Sequence, residues 1–464
     1  MKLKKIILVE PPTGEKKITS FRYPPMGLLA MATYLDREGY EVELIDATID
    51  NLSLDALVDI IKNKKPEVVG ISAMSVNISQ TFKLAEALKK INPEIKIIVG
   101  GVHPTIAPEH TVKNEFVDFV VMGEGELTTI DLLKALENDE SDFSSILGLA
   151  YKKDGEIIVN PKRPLIENID KLPIPLYHLL DIDKYKSPYA KKAPFISMVR
   201  SRGCPYNCTF CGNPKMFGRT FRCQTPARTI KEIDYLVKAF KIKEISFKDT
   251  ELTLDLNLEK LCDLLIEKNY DLIWTCNGRV NNLTENLLRK MKKAGCCSIT
   301  FGIESGNQEI LNRLKKQITL SQVREAVKMA KAAGLQIVTN FMIGNPHDTK
   351  ETIEETINFA VELDTDYAYF GFTTPFPGTE LREEAELNHW ILDDSLEAIR
   401  YDDCMMNATN LPIEELKKYL DIAYRRFYFR PTYIMRRLAK LDRYELKNSI
   451  DGLLSIVKNS WRKK

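Results

Sequence analysis

Three cysteines, Cys204, Cys208 and Cys211, stand in a C-x3-C-x2-C spacing within Arg200-Ser201-Arg202-Gly203-Cys204-Pro205-Tyr206-Asn207-Cys208-Thr209-Phe210-Cys211-Gly212. The apolar run Phe195-Ile196-Ser197-Met198-Val199 before them reads as a strand. Three thiolates on one short loop can ligate three irons of an iron–sulfur cube. The fourth iron is then left without a protein ligand, which is the logic of an open catalytic site. A structural zinc would want four ligands, and no nearby His or Cys completes the set. Three clustered cysteines also cannot pair off as disulfides.

Four more motifs follow in order, each at the end of an apolar run. They are Lys248-Asp249-Thr250-Glu251, Asn277-Gly278-Arg279, Gly302-Ile303-Glu304-Ser305 and Phe341-Met342-Ile343-Gly344. Singly, each reads equally well as a solvated loop charge or a tight turn. In this order and behind that cysteine loop, they resemble the radical S-adenosylmethionine (SAM) enzymes. The resemblance implies a [4Fe-4S] cluster on Cys204, Cys208 and Cys211, whose open iron SAM chelates. Reduction of the sulfonium then releases a 5'-deoxyadenosyl radical, the electron coming from an external donor of ferredoxin or flavodoxin type. By the same resemblance Asp249 lies near the SAM amine and Arg279 near its carboxylate. Glu304 and Ser305 lie near its methionyl or ribose groups, and Ile343 and Gly344 flank the adenine.

The first 145 residues alternate short Val- and Ile-rich runs with helical segments. The runs Ile6–Val9, Val42–Ile45, Val68–Ser72, Ile95–Val99 and Phe116–Met122 read as buried strands. Met26–Arg37, Leu54–Lys62, Thr81–Lys90 and Thr105–Lys113 read as the helices between them. Such a rhythm makes a doubly wound parallel sheet, with ligands beyond the carboxyl ends of the strands. Glu10-Pro11-Pro12-Thr13-Gly14 stands where a dinucleotide fingerprint would be, which argues against a dinucleotide. The loops after the third, fourth and fifth strands are rich in small residues, which let a large flat ligand approach the backbone. They carry Ser72 and Ser75; Gly100, Gly101, His103 and Thr105; and Gly123, Glu124 and Gly125. With Pro24-Pro25-Met26-Gly27-Leu28, they resemble the cobalamin-binding domain found ahead of radical SAM barrels. The resemblance makes these residues cobalamin contacts. The Asp-x-His-x-x-Gly loop that supplies a cobalt-ligating His in many such domains is missing. His103 is expected to be part of the cofactor wall rather than a cobalt ligand.

The elements that position these motifs divide the chain into four segments: a cobalamin-binding domain over 1–145, a proline-rich linker over 146–192, a barrel over 193–390 and a helical basic segment over 391–464. The linker includes a short hairpin around Asp154-Gly155. After the cysteine loop, six βα units fit a partial (β/α)6 barrel with its site at the carboxyl ends of the strands. From residue 412 onward there are fourteen Lys or Arg against six Asp or Glu. A solvated helical face is the commoner meaning of such an excess, and peripheral contact with an anionic membrane is the alternative. With 28% charged residues and a formal net charge of +1, nothing marks a nucleic-acid binder. Nine irregularly spaced cysteines and the absence of a long apolar run fit a cytoplasmic protein.

The fold class expected is therefore α/β, a doubly wound cobalamin-binding sheet followed by a partial radical SAM barrel and a small helical tail. The function implied is methylation of an unactivated carbon on a small-molecule or lipid substrate. An oxidative cyclase without methyl transfer is the first alternative, and a non-catalytic cobalamin and Fe–S sensor is the second.

Overall fold

The computed structural model describes residues 3–12, 23–187, 190–400 and 403–440. Its first unit is a sheet of β1 (Lys5–Glu10), β2 (Glu41–Asp46), β3 (Val68–Ser72), β4 (Lys96–Gly100), β5 (Phe119–Val121), β6 (Leu149–Lys153) and β7 (Glu156–Val159), in spatial order β2-β1-β3-β4-β5-β6-β7. The helices are α1 (Met26–Arg37), α2 (Leu54–Lys64), α3 (Ile78–Ile91), α4 (Val102–Ile106), α5 (Pro108–Lys113) and α6 (Gly125–Glu137). Alternate strand residues feed opposite faces. Ile7, Val9, Val69 and Val99 pack in one core with residues of α2 and α3, and Ile6, Leu8, Val68 and Ile98 in another with residues of α1 and α6. Burial on both faces is why these strands read as continuous apolar runs. The chain reverses its winding between β1 and β3, and a crevice opens at such a switch point.

Three expectations change here. The expected Phe116–Met122 strand shortens to β5, because Asn114 closes a turn by accepting from the Phe116 and Val117 amides at 3.0 and 3.2 Å. The expected Thr105–Lys113 helix breaks into α4 and α5 at Pro108, whose ring nitrogen cannot donate to a continuing helix. The hairpin assigned to the linker belongs to the sheet, since β6 pairs antiparallel with β5 and covers an edge that would otherwise expose unpaired amides. Thr13, Gly14 and Pro188 lie outside the described residues.

The second unit begins with β8 (Phe195–Met198). A two-stranded ribbon of β9 (Ser201–Arg202) and β10 (Arg222–Cys223) then brackets the cysteine loop and α7 (Asn213–Phe217). β11 (Glu244–Phe247), β12 (Ile273–Gly278), β13 (Cys296–Glu304), β14 (Gln336–Ile343) and β15 (Tyr367–Phe372) complete a parallel open sheet in order β15-β14-β13-β12-β11-β8. Its outer layer is α8 (Pro226–Phe240), α9 (Leu258–Lys268), α10 (Glu285–Lys293), α11 (Gln308–Arg313), α12 (Leu320–Ala332) and α13 (Lys350–Leu363), with α14 (Glu380–Leu387) beyond β15. The six-stranded partial barrel is as expected.

The tail does something composition did not reveal. In α15 (Ile413–Tyr428) and α16 (Pro431–Lys440), three tyrosines cover the open edge of β15. The Tyr428 hydroxyl accepts from the Ala368 amide at 3.1 Å and donates to the Ala368 carbonyl at 2.9 Å. Tyr424 does the same at Phe370, at 3.3 and 2.9 Å, and Tyr433 donates to the Asp366 carbonyl at 2.7 Å. Arg426 pairs with Glu354, and Arg430 and Arg436 both pair with Asp364. These side chains seal a sheet edge, which natural proteins need covered. No described helix is long and apolar enough to cross a membrane. The basic residues after 440 lie outside the described residues.

Candidate active site

The cysteine loop is held from three sides. Gly203, at φ +88, precedes Cys204, and a Cβ there would stand 2.0 Å from the Thr220 carbonyl oxygen, so only glycine lets the chain enter the loop. Thr209 donates its amide to the Leu314 carbonyl at 3.1 Å and accepts from the Leu381 amide at 2.9 Å. Cys204 is buried and Cys208 and Cys211 are half-buried. Burial pushes the Cys204 and Cys211 thiols up, and their charged forms would also repel that of Cys208. The loop thus gathers three thiols in mutual electrostatic reach. Among the described residues, no three His, Cys, Asp or Glu side chains converge on one point as a single metal ion would need. A cube asks for something different, one thiolate per iron, and the donor set fits it.

Around the loop lies a concentration of buried charge. Asp249, directly beyond β11, is fully buried. Its Oδ1 accepts from the Arg200 amide at 3.0 Å and from the Ser201 hydroxyl, while its buried Oδ2 has no partner. Burial raises its pKa to about 6. Arg279, beyond β12, lays its guanidinium 3.4 Å from the Tyr206 ring centroid and donates to the Lys316 carbonyl, leaving Nε unpartnered. Glu304 ends β13 in the left-handed region at φ +75, beside a register shift against β14. Non-glycine residues rarely sit there, and such strain collects at functional sites. Its Oε1 accepts from Lys316 Nζ at 2.9 Å. A Cβ on Gly302 would fall 2.4 Å from that same oxygen, which explains the glycine two residues earlier.

Lys316 and Glu251 were not singled out from the sequence. Lys316 is nearly fully buried, and although burial opposes its charge, Glu304, Glu251 and the thiol of Cys208 hold its pKa above the ordinary value. Glu251 was visible in Lys248-Asp249-Thr250-Glu251, and its buried Oε2 has no partner. No spacing rule could have linked Lys316 to them, since it arrives on the loop after α11. Orphaned carboxylate oxygens on Asp249 and Glu251 suit the amine of SAM, and orphaned Arg279 Nε suits its carboxylate.

The remaining barrel candidates are less central. The Ser305 hydroxyl is engaged with Thr356 Oγ1 at 3.1 Å and the Asn307 amide at 3.1 Å, on the α13 side. Ile343 and Gly344 are buried where β14 ends, Gly344 at φ +79.

At the carboxyl ends of the first sheet a cavity of about 400 Å³ runs between the two units. Ser72, Gly100, Gly101, Gly123, Glu124 and Gly125 form one wall, and Leu28, Met31 and Leu133 line a slot under α1 and α6. The barrel contributes Val199, Arg200, Lys248 and Thr250. An apolar slot opening onto a wall of small residues fits cobalamin, whose macrocycle is broad and whose nucleotide base is flat. Ser75, His103 and Thr105 stand behind this wall rather than in it. His103 is buried, with Nδ1 at 3.0 Å from Ser75 Oγ and Nε2 at 3.1 Å from His110 Nδ1. Burial, then His110, lower its pKa to about 3, so the ring stays neutral with both nitrogens engaged. Thr105 Oγ1 accepts from the Gly123 amide at 2.9 Å, tying two wall loops together.

Glu124 lines the cavity, but its carboxylate works elsewhere. It accepts from Arg202 Nη1 at 3.0 Å, Arg222 Nη1 at 2.9 Å and the Ile166 amide at 2.6 Å. Arg202 also reaches Glu126 at 2.6 Å. These buried pairs bolt the first sheet to the ribbon beside the cysteine loop.

Comparison with known proteins agrees with both halves. A Radical SAM superfamily model matches residues 198–360, and a B12 binding domain model matches residues 19–133. An uncharacterized methyltransferase of Pyrococcus horikoshii is 38% identical over 98% of this chain and 99% of its own. The anaerobic magnesium-protoporphyrin IX monomethyl ester cyclase of Rubrivivax gelatinosus is 28% identical over 95% of this chain and 80% of its own. Among solved structures, the cobalamin-dependent S-adenosylmethionine radical enzyme OxsB superposes with a TM-score of 0.75 at 18% identity, over 98% of this chain and 71% of that one. The radical S-adenosylmethionine methyltransferase TsrM from Kitasatospora setae gives 0.68 at 18% identity, over 83% and 78%. The chain belongs to the cobalamin-dependent radical SAM enzymes, whose cofactors are a [4Fe-4S] cluster, SAM and cobalamin.

Proposed function

We propose that this enzyme methylates an unactivated carbon of a small-molecule substrate. The observation that carries the reading is the single cavity shared by the strand-end wall of the first sheet and by the barrel at Val199, Lys248 and Thr250. Bound there, cobalamin supplies a transferable methyl group, and SAM on the cluster supplies a 5'-deoxyadenosyl radical. In this reading Cys204, Cys208 and Cys211 hold the cluster. Asp249 and Glu251 receive the SAM amine, and Arg279 receives its carboxylate. Lys316 holds Glu304 in place beside the same ligand. Ser72, Gly100, Gly101, Gly123 and Gly125 let the corrin lie against backbone, while His103 and Thr105 brace those loops from behind. Glu124 and the two arginines hold the two walls at a fixed separation, and positioning supplies much of the rate in such chemistry. Ile343, Gly344 and Ser305 shape the far side of the SAM site. The reductant is read as a ferredoxin- or flavodoxin-type protein, and the compartment as the cytoplasm. Of the two substrate classes, the paired arginines of α15 and α16 favour a small metabolite over a lipid surface.

Oxidative cyclisation is the second reading, favoured by the cyclase-named relative. One experiment separates them. The reduced, reconstituted enzyme is incubated with SAM, and 5'-deoxyadenosine and S-adenosylhomocysteine are quantified. Methylation consumes SAM twice and gives the two products in near one-to-one ratio on turnover. Deoxyadenosine without matching S-adenosylhomocysteine, with cobalamin bound and reduced, would replace methyl transfer with the oxidative reading.

A further inference from the structure

The charges lining the interdomain cavity can be matched off one by one. Glu124 and Glu126 are paired with Arg202, and Glu124 also with Arg222. Arg200 is paired with Asp255 at 2.7 Å, and Glu232 with Arg228 at 2.9 Å. One charge is left over. Lys248 opens into the cavity, and among the described residues it has neither a carboxylate nor a hydrogen-bonding partner. Its chain neighbour Asp249 is turned to Arg200 and Ser201. Lys248 Nζ lies instead 3.5 Å from the centroid of the Tyr23 ring. A cation–π contact orients an ammonium without neutralising it. The surrounding protein displaces enough water to lower its pKa to about 8 although the side chain stays exposed to the cavity, so it remains mostly protonated at pH 7. This unneutralised ammonium is open to pair with an anionic group that a ligand brings to the cavity.

We propose that Lys248 is an anion receptor for the substrate, which carries a carboxylate or phosphate group that Lys248 holds in the interdomain cavity. The geometry fits, because Lys248 precedes Asp249 in the chain and lines the same cavity as Gly100 and Glu124. An anchored anion would fix the substrate between the two cofactor sites at one end and leave its reacting carbon to be presented by the rest of the molecule. A compact ammonium serves either anion as a point charge. The inference rests on the reading of this cavity as the meeting place of cofactors and substrate.

The test uses the reconstituted protein, with cluster and cobalamin loaded, titrated with inorganic phosphate and separately with acetate. Binding is followed by the shift in thermal unfolding midpoint. We expect saturable binding of at least one anion, weakened on the order of tenfold or more in Lys248→Met and kept in Lys248→Arg. Equal affinity in Lys248→Met, or no saturable binding by the unaltered protein, overturns the proposal. A second arm asks whether the anion belongs to the cofactor instead. Cobalamin carries a phosphodiester that cobinamide lacks. If Lys248→Met weakens hydroxocobalamin binding and leaves cobinamide binding intact, the anion is the cofactor's and the assignment to substrate falls. Equal retention of both supports it and shows that the variant is folded. Failure of the methyl-transfer reading is detected separately, in the product ratio of the unaltered enzyme, where no anion titration enters.

Discussion

The cavity wall of the first sheet and the region around the cysteine loop are built on opposite principles. The wall from the first sheet is made of small and apolar residues, and its charged members, Glu124 and Glu126, are neutralised by arginines from the barrel. The region around the cysteine loop is packed with buried charge, and Asp249, Glu251 and Arg279 each keep an orphaned polar atom. The first side is shaped to accept a ligand by form, and the second is charged to accept one by pairing. Form costs little stability when the ligand is absent. Orphaned buried charge is expensive, on the order of 1–3 kcal/mol for each unsatisfied group. The two sites should therefore answer differently to the same kinds of perturbation.

The sharpest break is at the cysteines. Replacing Cys204, Cys208 and Cys211 together by Ala should abolish the cubane absorption and SAM cleavage while hydroxocobalamin still binds. Retention of a cluster by that variant would move the ligand assignment elsewhere. Next in size, Lys316→Met leaves Glu304 buried and unpaired. We expect SAM affinity to fall about a hundredfold, the cobalamin affinity being unchanged. An equal loss at both sites would mean that Lys316 supports the whole fold rather than the charged side.

The mirror experiment fills the other wall. A Cβ at Gly100 would meet nothing closer than 3.8 Å, so Gly100→Leu folds and pushes its side chain into the cavity. Cobalamin binding should weaken about tenfold or more, with SAM binding preserved. Binding at wild-type strength would place the corrin elsewhere. The bolt between the two sides is milder. Arg202→Met removes bonds to Glu124 and Glu126 but leaves Arg222 on Glu124, so stability should drop by about 1–2 kcal/mol in denaturant unfolding. An effect confined to the pH dependence belongs to Glu10, at the end of β1. Burial, then the charge of Asp46, raise its pKa to about 8. A carboxyl that holds its proton in the folded state and loses it when unfolded makes stability fall as pH rises, between the ordinary carboxylate value and about 8. Glu10→Gln should flatten that slope in the cobalamin-free protein by up to one proton, about 1.4 kcal/mol per pH unit. An unchanged slope would show that Glu10 is charged throughout.

The strands and most helices were legible because both layers of each unit bury period-2 or period-3.6 patterns, as in α1, whose bounds match the expectation. The cysteine loop was legible because its three cysteines sit within eight residues. Lys316 was not, because its meaning depends on Glu304 and Glu251, brought to it by separate βα units. The part of the tail over α15 and α16 was legible as helical but not as an edge cover, because its tyrosines gain that role only where β15 needs a partner.

Local chemistry along the chain was enough to determine the cluster motif, the βα order and the small-residue loops, since each depends on neighbours a few residues away. Tertiary structure alone decided which charges remain unmatched. The neutralisation of Glu124 by Arg202 and Arg222, the orphaned oxygens of Asp249 and Glu251, and the solitary ammonium of Lys248 depend on distances between elements far apart in the chain. Coulomb pairing and desolvation act through space, and no spacing along the sequence encodes them.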